Sequence, residues 1–172
     1  MPSPDAVRAL VVADTHLTGA TLSRMPPEVW EMAAAADLVV HAGDVLEPEV
    51  LAAFADHAPL HAVLGNNDRA LVASLPETLE VELGGVAIAV IHDAGATAGR
   101  HRRMARRFPA AEVVVFGHSH APVAEREGDG PLLVNPGSPV QRRRQPFHTV
   151  AWLHLAPGAV AAEVVEVGPL AG

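Results

Sequence analysis

Short apolar stretches punctuate the chain, and within them the pattern is continuous rather than alternating. Val7–Ala13, interrupted only by Arg8, has the character of a strand covered on both faces. Pro26-Pro27 sits where a helix can start, and Val29, Met32, Ala33 and Ala36 follow at helical spacing. Leu38–Ala42 is the second predicted strand. Pro48 opens another helix with Leu51, Phe54 and Ala55 on one face, and Leu60–Leu64 is the third strand. This β-α-β-α-β order, which makes the N-terminal half rich in βαβ units, predicts parallel strands joined by right-handed crossovers. Gly84-Gly85 between Leu79–Leu83 and Val86–Ile91 predicts a hairpin. An Arg-rich helix over Ala98–Phe108 and a strand at Val113–Phe116 come next. Short strands at Leu132–Val134, Thr149–Leu155 and Ala161–Val167 complete the pattern, separated by Gly and Pro turns. No repeat, low-complexity linker or composition shift divides residues 1–172, so a single domain is expected. An α/β arrangement of two sheets packed face to face and flanked by helices accommodates the mixture.

Composition narrows the classes of function. At 172 residues and 49% apolar content the chain can bury a sizeable core. The net charge of −8 argues against stable nucleic-acid or membrane-surface binding, although a local basic patch is compatible with it. Without Cys there is no disulfide, thiolate ligand or catalytic thiol. The amino terminus MPSPDAVRALVV lacks the pattern of a signal peptide, and no apolar run approaches a membrane span, so a cytoplasmic protein is expected. Every basic residue is Arg and none is Lys, so any cationic phosphate contact must be a guanidinium.

Candidate chemistry lies where the apolar runs end. Asp14-Thr15-His16, Gly43-Asp44, Gly65-Asn66-Asn67-Asp68, His92 and Gly117-His118-Ser119-His120 each follow a predicted strand. In open α/β sheets ligands gather at the carboxyl ends of strands. Carboxylates, imidazoles and an amide collected there exceed the needs of one ion, and two ions sharing a ligand are the simplest use for them. In an extended chain Asp14 and His16 face one side and can reach one ion together, with Thr15 turned away. His118 and His120 either do the same or are split between two neighbouring ions. Asp44, on a Gly turn, exposes a carboxylate able to bridge cations roughly 3.5–4 Å apart. Asn66 adds a neutral oxygen ligand. A set of N and O donors without sulfur suits two divalent ions, Mn²⁺ first, with Fe, Zn²⁺ or Ni²⁺ as alternatives.

The order DxH, GD, GNxD, H, GHxH resembles the calcineurin-like metallophosphoesterases. The short length and the Asn135-Pro136-Gly137-Ser138 segment resemble their small bacterial and archaeal phosphodiesterase branch. The likeness runs from Val7 to Leu155. It implies a two-sheet α/β sandwich. It also implies one metal on Asp14, His16 and His120, a second on Asn66, His92 and His118, and Asp44 between them. Asp44, Asn66, Asn67 and Asp68 form the implied catalytic group. Two positions depart from the superfamily pattern. Asn67 stands where many members have a His thought to protonate the leaving group, and an amide cannot do this near neutral pH. Asp93 stands where many have Gly, and it can serve as a partner of the cluster or repel an anion.

Of the remaining polar residues, His41, His57, His61, His101, His148 and His154 read as surface or hydrogen-bonded side chains. His41 and His148 are nonetheless the candidates for a substitute acid. Asp68 reads as a hydrogen-bond partner of the ligands rather than a ligand. Arg100, Arg102, Arg103, Arg106 and Arg107 read by default as a solvated face paired with acids, the alternative being an anion or partner surface. Arg69, Arg142 and Arg143, next to GNND and NPGS, are candidate phosphate contacts.

The function expected is a dinuclear-metal phosphoesterase, a phosphodiesterase first. A hydroxide bridging the ions attacks phosphorus, and the substrate is a small-molecule or nucleotide phosphodiester. The rivals are a phosphomonoesterase of a small metabolite and an interaction scaffold of the same fold, as in the retromer coat. A homo-oligomer is compatible with the apolar C-terminal strands.

Overall fold

The computed structural model describes residues 6–168. One five-stranded sheet runs in the order β10 (Ala159–Val167), β9 (His148–Ala156), β1 (Val7–Val12), β2 (Leu38–His41) and β3 (Leu60–Ala62). The other runs β4 (Thr78–Leu83), β5 (Val86–Ile91), β6 (Val113–Val115), β8 (Leu132–Asn135) and β7 (Val123–Arg126). The helices are α1 (Pro27–Ala35), α2 (Pro48–Ala55) and α3 (Arg100–Arg107).

The first three strands are parallel as expected, with Ala9 opposite Leu38 and Val39 opposite Leu60. Pro27 and Pro48 start α1 and α2 at the first helical position, where a missing N–H costs nothing. β4 and β5 form the hairpin around Gly84-Gly85, and β5, β6 and β8 are parallel. β7 was not predicted. Its sequence, VAER, is mostly exposed and edge-bound, and it pairs only with β8, so it lacks an apolar signature.

Burial on both faces explains the continuous apolar runs. Ala9, Val11 and Val40 of the first sheet meet Ile88, Val90, Val113 and Val115 of the second between the sheets. Leu10, Val12 and Val39 point the other way, onto Val29 and Ala33 of α1 and Phe54 of α2. Val114 and Leu133 cover Met104 of α3 and the adjoining Phe108. Full burial of a Val or Leu side chain contributes about 1.5–3 kcal/mol. The four layers are therefore helix, sheet, sheet, helix. Predicted strands overran the observed ones at Ala13, Ala42, Val63-Leu64 and Phe116. There the chain stays mostly buried while it leaves the ladder and bends into the polar loops.

Candidate metal centre

The loops that follow β1, β2, β3, β5 and β6 meet at one end of the sandwich, and the extended geometry expected of the ligand pairs is corrected there. Asp14 (φ 53°), His16 (φ 46°), Asp44 (φ 57°), His118 (φ 69°) and His120 (φ 59°) are all left-handed. The backbone curls after each strand, and the curl rather than strand alternation brings Asp14 and His16 together. Asn, Asp and His tolerate this region better than other non-Gly residues. Gly43 (φ 97°) precedes Asp44, and a Cβ there would strike the His92 ring. A Cβ on Gly65 would overlap Asp44 itself, so the two loops can touch only with Gly at both places.

All seven residues expected to bind metal lie in one cluster. Asp14, His16 and His120 converge, and so do Asp14, Asp44 and His92. Asp44 Oδ2 is 3.4 Å from His16 Nε2 and 3.5 Å from His92 Nε2, between the two groups. Asn66 Oδ1 is 3.0 Å from His92 Nε2 and 3.1 Å from His118 Nδ1. His118 and His120 are thus split, His118 toward Asn66 and His120 toward Asp14. Asp14 Oδ1 lies 3.5 Å from His120, 3.9 Å from His16 and 3.9 Å from His92, so it faces both groups.

The donors fit cations. Both carboxylate oxygens of Asp14, His16 Nε2 and His120 Nε2 are buried without a hydrogen-bond partner. His92 donates Nδ1–H to the Ala42 carbonyl at 2.7 Å, and His120 donates Nδ1–H to the Gln141 carbonyl. Each bond occupies Nδ1 and leaves Nε2 directed at carboxylate oxygen, an arrangement that a cation or a proton between them satisfies. Burial, and less so the neighbouring Asp44 charge, push the Asp14 carboxyl up to about 7 against the pull of His92. Burial also opposes ionisation of Asp44, but contact with His92 and two bonds from Asn67 overcome it and hold that carboxyl well below the usual range. Burial lowers His16, and lowers His120 to about 4. His92 is raised, because Asp44, Ala42 and Asp14 outweigh its burial.

Around the cluster is a set of braces. Asp68 accepts backbone N–H bonds from Asp44 (2.9 Å), Leu46 (2.8 Å) and Gly65 (2.7 Å), the partner role expected of it. Asn67 donates its backbone N–H to Asp44 Oδ1 (2.9 Å) and its amide to Asp44 Oδ2 (2.8 Å), so the residue in the acid's place orients the carboxylate. Sequence reasoning did not find the partners of three others. His41 accepts from Gly43 N–H at 3.2 Å and, with its proton then on Nε2, donates to Thr15 Oγ1 at 3.0 Å. Asn135 donates to the Gly117 carbonyl (3.0 Å) and the Ser119 hydroxyl (3.1 Å). Ser138 donates to the Asp14 carbonyl at 2.7 Å. The only signal for the last two was the NPGS turn.

Both candidate substitute acids lie where burial disfavours the protonated ring. His41 is fully buried, and burial lowers its pKa to about 3. His148 begins β9 opposite Val167, and burial with the Arg142 charge lowers it too. Asp93 Oδ2 is 3.8 Å from His118 Nε2, and its Oδ1 accepts the Gly95 N–H. Among the candidate phosphate contacts, the Arg143 charge acts on Asp14, His16 and His120, while Arg142 donates to the Gln145 carbonyl at 2.7 Å. Arg69 is exposed at the head of a 3-10 turn. The default reading of the α3 arginines holds for the solvated face, since Arg102, Arg103, Arg106 and Arg107 are exposed, and is corrected in the pairing with acids. Arg100 is buried, and among the described residues no guanidinium of α3 lies within ion-pair distance of a carboxylate.

The calcineurin-like phosphoesterase superfamily domain matches residues 7–158, and the chain belongs to that superfamily. It is similar to a protein named "probable metallophosphoesterase" from Methanothermobacter thermautotrophicus, 31% identical over 92% of this chain and 91% of the relative. That relative agrees with the small bacterial and archaeal branch. Among solved structures it is similar to a conserved uncharacterized protein, a predicted phosphoesterase, from Streptococcus pneumoniae. The TM-score is 0.72 at 26% identity, over 96% of this chain and 94% of that one. It also shares the fold of vacuolar protein sorting 29 from Cryptosporidium parvum, with TM-score 0.75 at 18% identity over 95% and 98% of the two chains. Among the described residues no helix is long and apolar enough to cross a membrane.

Proposed function

We propose that the chain is a two-metal phosphodiesterase. Asp14, His16 and His120 hold one divalent cation, Asn66, His92 and His118 hold the other, and Asp44 lies between them. The carrying observation is the group of buried, unpartnered donors: Asp14 Oδ1 and Oδ2, His16 Nε2 and His120 Nε2. Buried polar atoms with no partner are rare unless an ion or water completes them. Two divalent cations would supply a water of lowered pKa and neutralise charge on the phosphoryl oxygens. Asp44 is aimed by Asn67 and pinned through its backbone by Asp68, while Ala42 and Gln141 hold His92 and His120 in one tautomer. Arg143, whose charge acts on Asp14, His16 and His120, is the first candidate to receive a phosphate oxygen, with Arg69 and Arg142 after it.

The N and O donor set favours Mn²⁺, with Fe, Zn²⁺ or Ni²⁺ as alternatives. The preference for diesters rests on the likeness to the small branch. Seven competent ligands in one cluster weigh against the scaffold rival, while the fold shared with vacuolar protein sorting 29 supports it. The test is a panel of mono- and diesters assayed with chelator-treated and Mn²⁺-loaded protein. Diester turnover should vanish with the metal and return with Mn²⁺. Full activity in the metal-free protein refutes the reading, and faster turnover of monoesters would transfer it to a phosphomonoesterase.

A further inference from the structure

The arginines of α3 fall into two sets. Arg100 and Arg103 are committed to the loop that follows His92. Arg100 donates to the Gly95 carbonyl at 3.1 Å, and Arg103 donates to the carbonyls of Ala94 (2.7 Å) and Ala96 (2.6 Å). Arg102, Arg106 and Arg107 are exposed, and among the described residues they have neither a carboxylate nor a carbonyl partner. Arg102 and Arg106 stand four residues apart on one face, where like charges repel. The helix dipole favours a cation at Arg106 and Arg107 in the last turn, but not at Arg102 in the first. In a chain of net charge −8, with 20 acidic residues, this face is left uncompensated.

Space accompanies the charge. Arg102, Arg103, Arg106 and Arg107 line an open groove of about 550 Å³. Arg107 also borders a cavity of about 290 Å³ whose lining includes Asn66 and His92 of the candidate metal centre and the carboxylates of Glu77 and Asp93. Arg107 therefore lines both spaces. A phosphate group has the oxygens that a guanidinium binds in pairs.

We infer that this groove holds a second phosphate of the substrate. The ester cleaved at the centre then carries a further phosphate on the arm that extends past His92 and Arg107 toward Arg102 and Arg106. The inference deepens the proposed function and rests on it for the reaction, but not for the binding of the anion.

Two measurements test it. The first compares the nitrophenyl ester of thymidine 5′-phosphate with the same ester bearing a 3′-phosphate, at saturating Mn²⁺. Wild type should show the lower KM on the phosphorylated ester. Arg102→Gln with Arg106→Gln should raise that KM about tenfold, hold kcat, and leave the ester without the extra phosphate unchanged. Arg24→Gln with Arg126→Gln removes the same charge elsewhere and should change neither. The second is calorimetric titration of chelator-treated protein with inorganic tripolyphosphate, whose binding should weaken about tenfold in the Arg102/Arg106 variant only. If both esters are hydrolysed alike by every variant, the inference is overturned and the phosphodiesterase reading stands. Tripolyphosphate bound through these arginines without any change in KM removes the substrate arm and likewise overturns it. If no ester is turned over but tripolyphosphate binding depends on Arg102 and Arg106, the catalytic reading fails while the anion groove is supported.

Discussion

Replacing Asp68 by Ala removes one buried carboxylate that receives three backbone N–H groups, from Asp44, Leu46 and Gly65. Hydrogen bonds to a charged group contribute about 1.5–3 kcal/mol each, and a buried N–H left unpaired costs about 1–3 kcal/mol. The Asp44 and Gly65 bonds are buried, whereas the Leu46 bond is partly accessible, so water can replace that one in the variant. The expected loss is therefore about 3–6 kcal/mol, a large part of the roughly 5–15 kcal/mol that holds a domain folded. Asp68→Asn should fall between. Both buried bonds end on Oδ2, so an amide oxygen in that position keeps them and only the Leu46 bond on Oδ1 is lost. Urea denaturation of chelator-treated protein reads the difference as a shift in midpoint at constant slope. Metal counting should show the Ala variant losing ions as well, since the freed Asp44 loop no longer aims its carboxylate. If Asp68→Ala unfolds within about 1 kcal/mol of wild type, the Asp44 and Gly65 loops are held by something else and the account of the brace is wrong.

Asp44→Asn should remove metal and turnover together, and wild-type turnover with two ions bound would exclude its place between them. His120→Ala should cost the ion at Asp14 and His16, and His92→Ala the ion at Asn66 and His118; metal-selective spectroscopy of both variants would expose an exchanged assignment. With Asn67 at the acid's position, aryl diesters should be cleaved far faster than alkyl diesters, since a general acid contributes about 10²–10⁴-fold. A rate independent of leaving-group pKa in wild type would contradict this. His41 has a pKa near 3 when folded, against an ordinary 6.5, so its contribution is complete above pH 6.5 and is lost as pH falls toward 3. Between those limits chelator-treated wild type should lose about 1.4 kcal/mol per pH unit more than His41→Asn, and parallel pH profiles for the two proteins would refute the assignment.

What was legible in the sequence follows from how each signal is written there. Strands buried on both faces show as unbroken apolar runs, Pro27 and Pro48 mark helix starts, and Gly84-Gly85 marks a hairpin, all within a few residues of chain. The candidate ligands were legible because their chemistry is a property of residue type, and each directly follows such a run. Of the braces only Asp68 was legible, because a buried polar side chain reveals nothing of its partner until the chain is folded. Ser138 meets the Asp14 carbonyl 124 residues away, and His41 meets Thr15 across 26. The arginines of α3 misled for the same reason. Their helix is evident, but Arg100 and Arg103 satisfy carbonyls of the preceding loop rather than acids, and only the fold shows it.

The geometry of the ligand loops is itself an argument about function. Asp14, His16, Asp44, His118 and His120 occupy a region of backbone that costs an L-residue about 1–2 kcal/mol, somewhat less for Asp. Glycine would adopt it freely, and the chain does use Gly at position 43, directly before Asp44. Among the described residues, five of the seven non-Gly residues at positive φ are ligand candidates, Leu46 and Arg143 being the others. Keeping carboxylates and imidazoles there instead accepts the strain, and it also brings Asp14 beside Asp44 in a buried setting where like charges repel. The Asp68, Asn135 and Ser138 bonds hold the curled backbone but do nothing for that repulsion, since each acts on neighbouring N–H or carbonyl groups. Cations at the cluster would relieve it directly. The strained turns and the unpartnered donors therefore make sense together, as a site whose local cost is offset by what it binds.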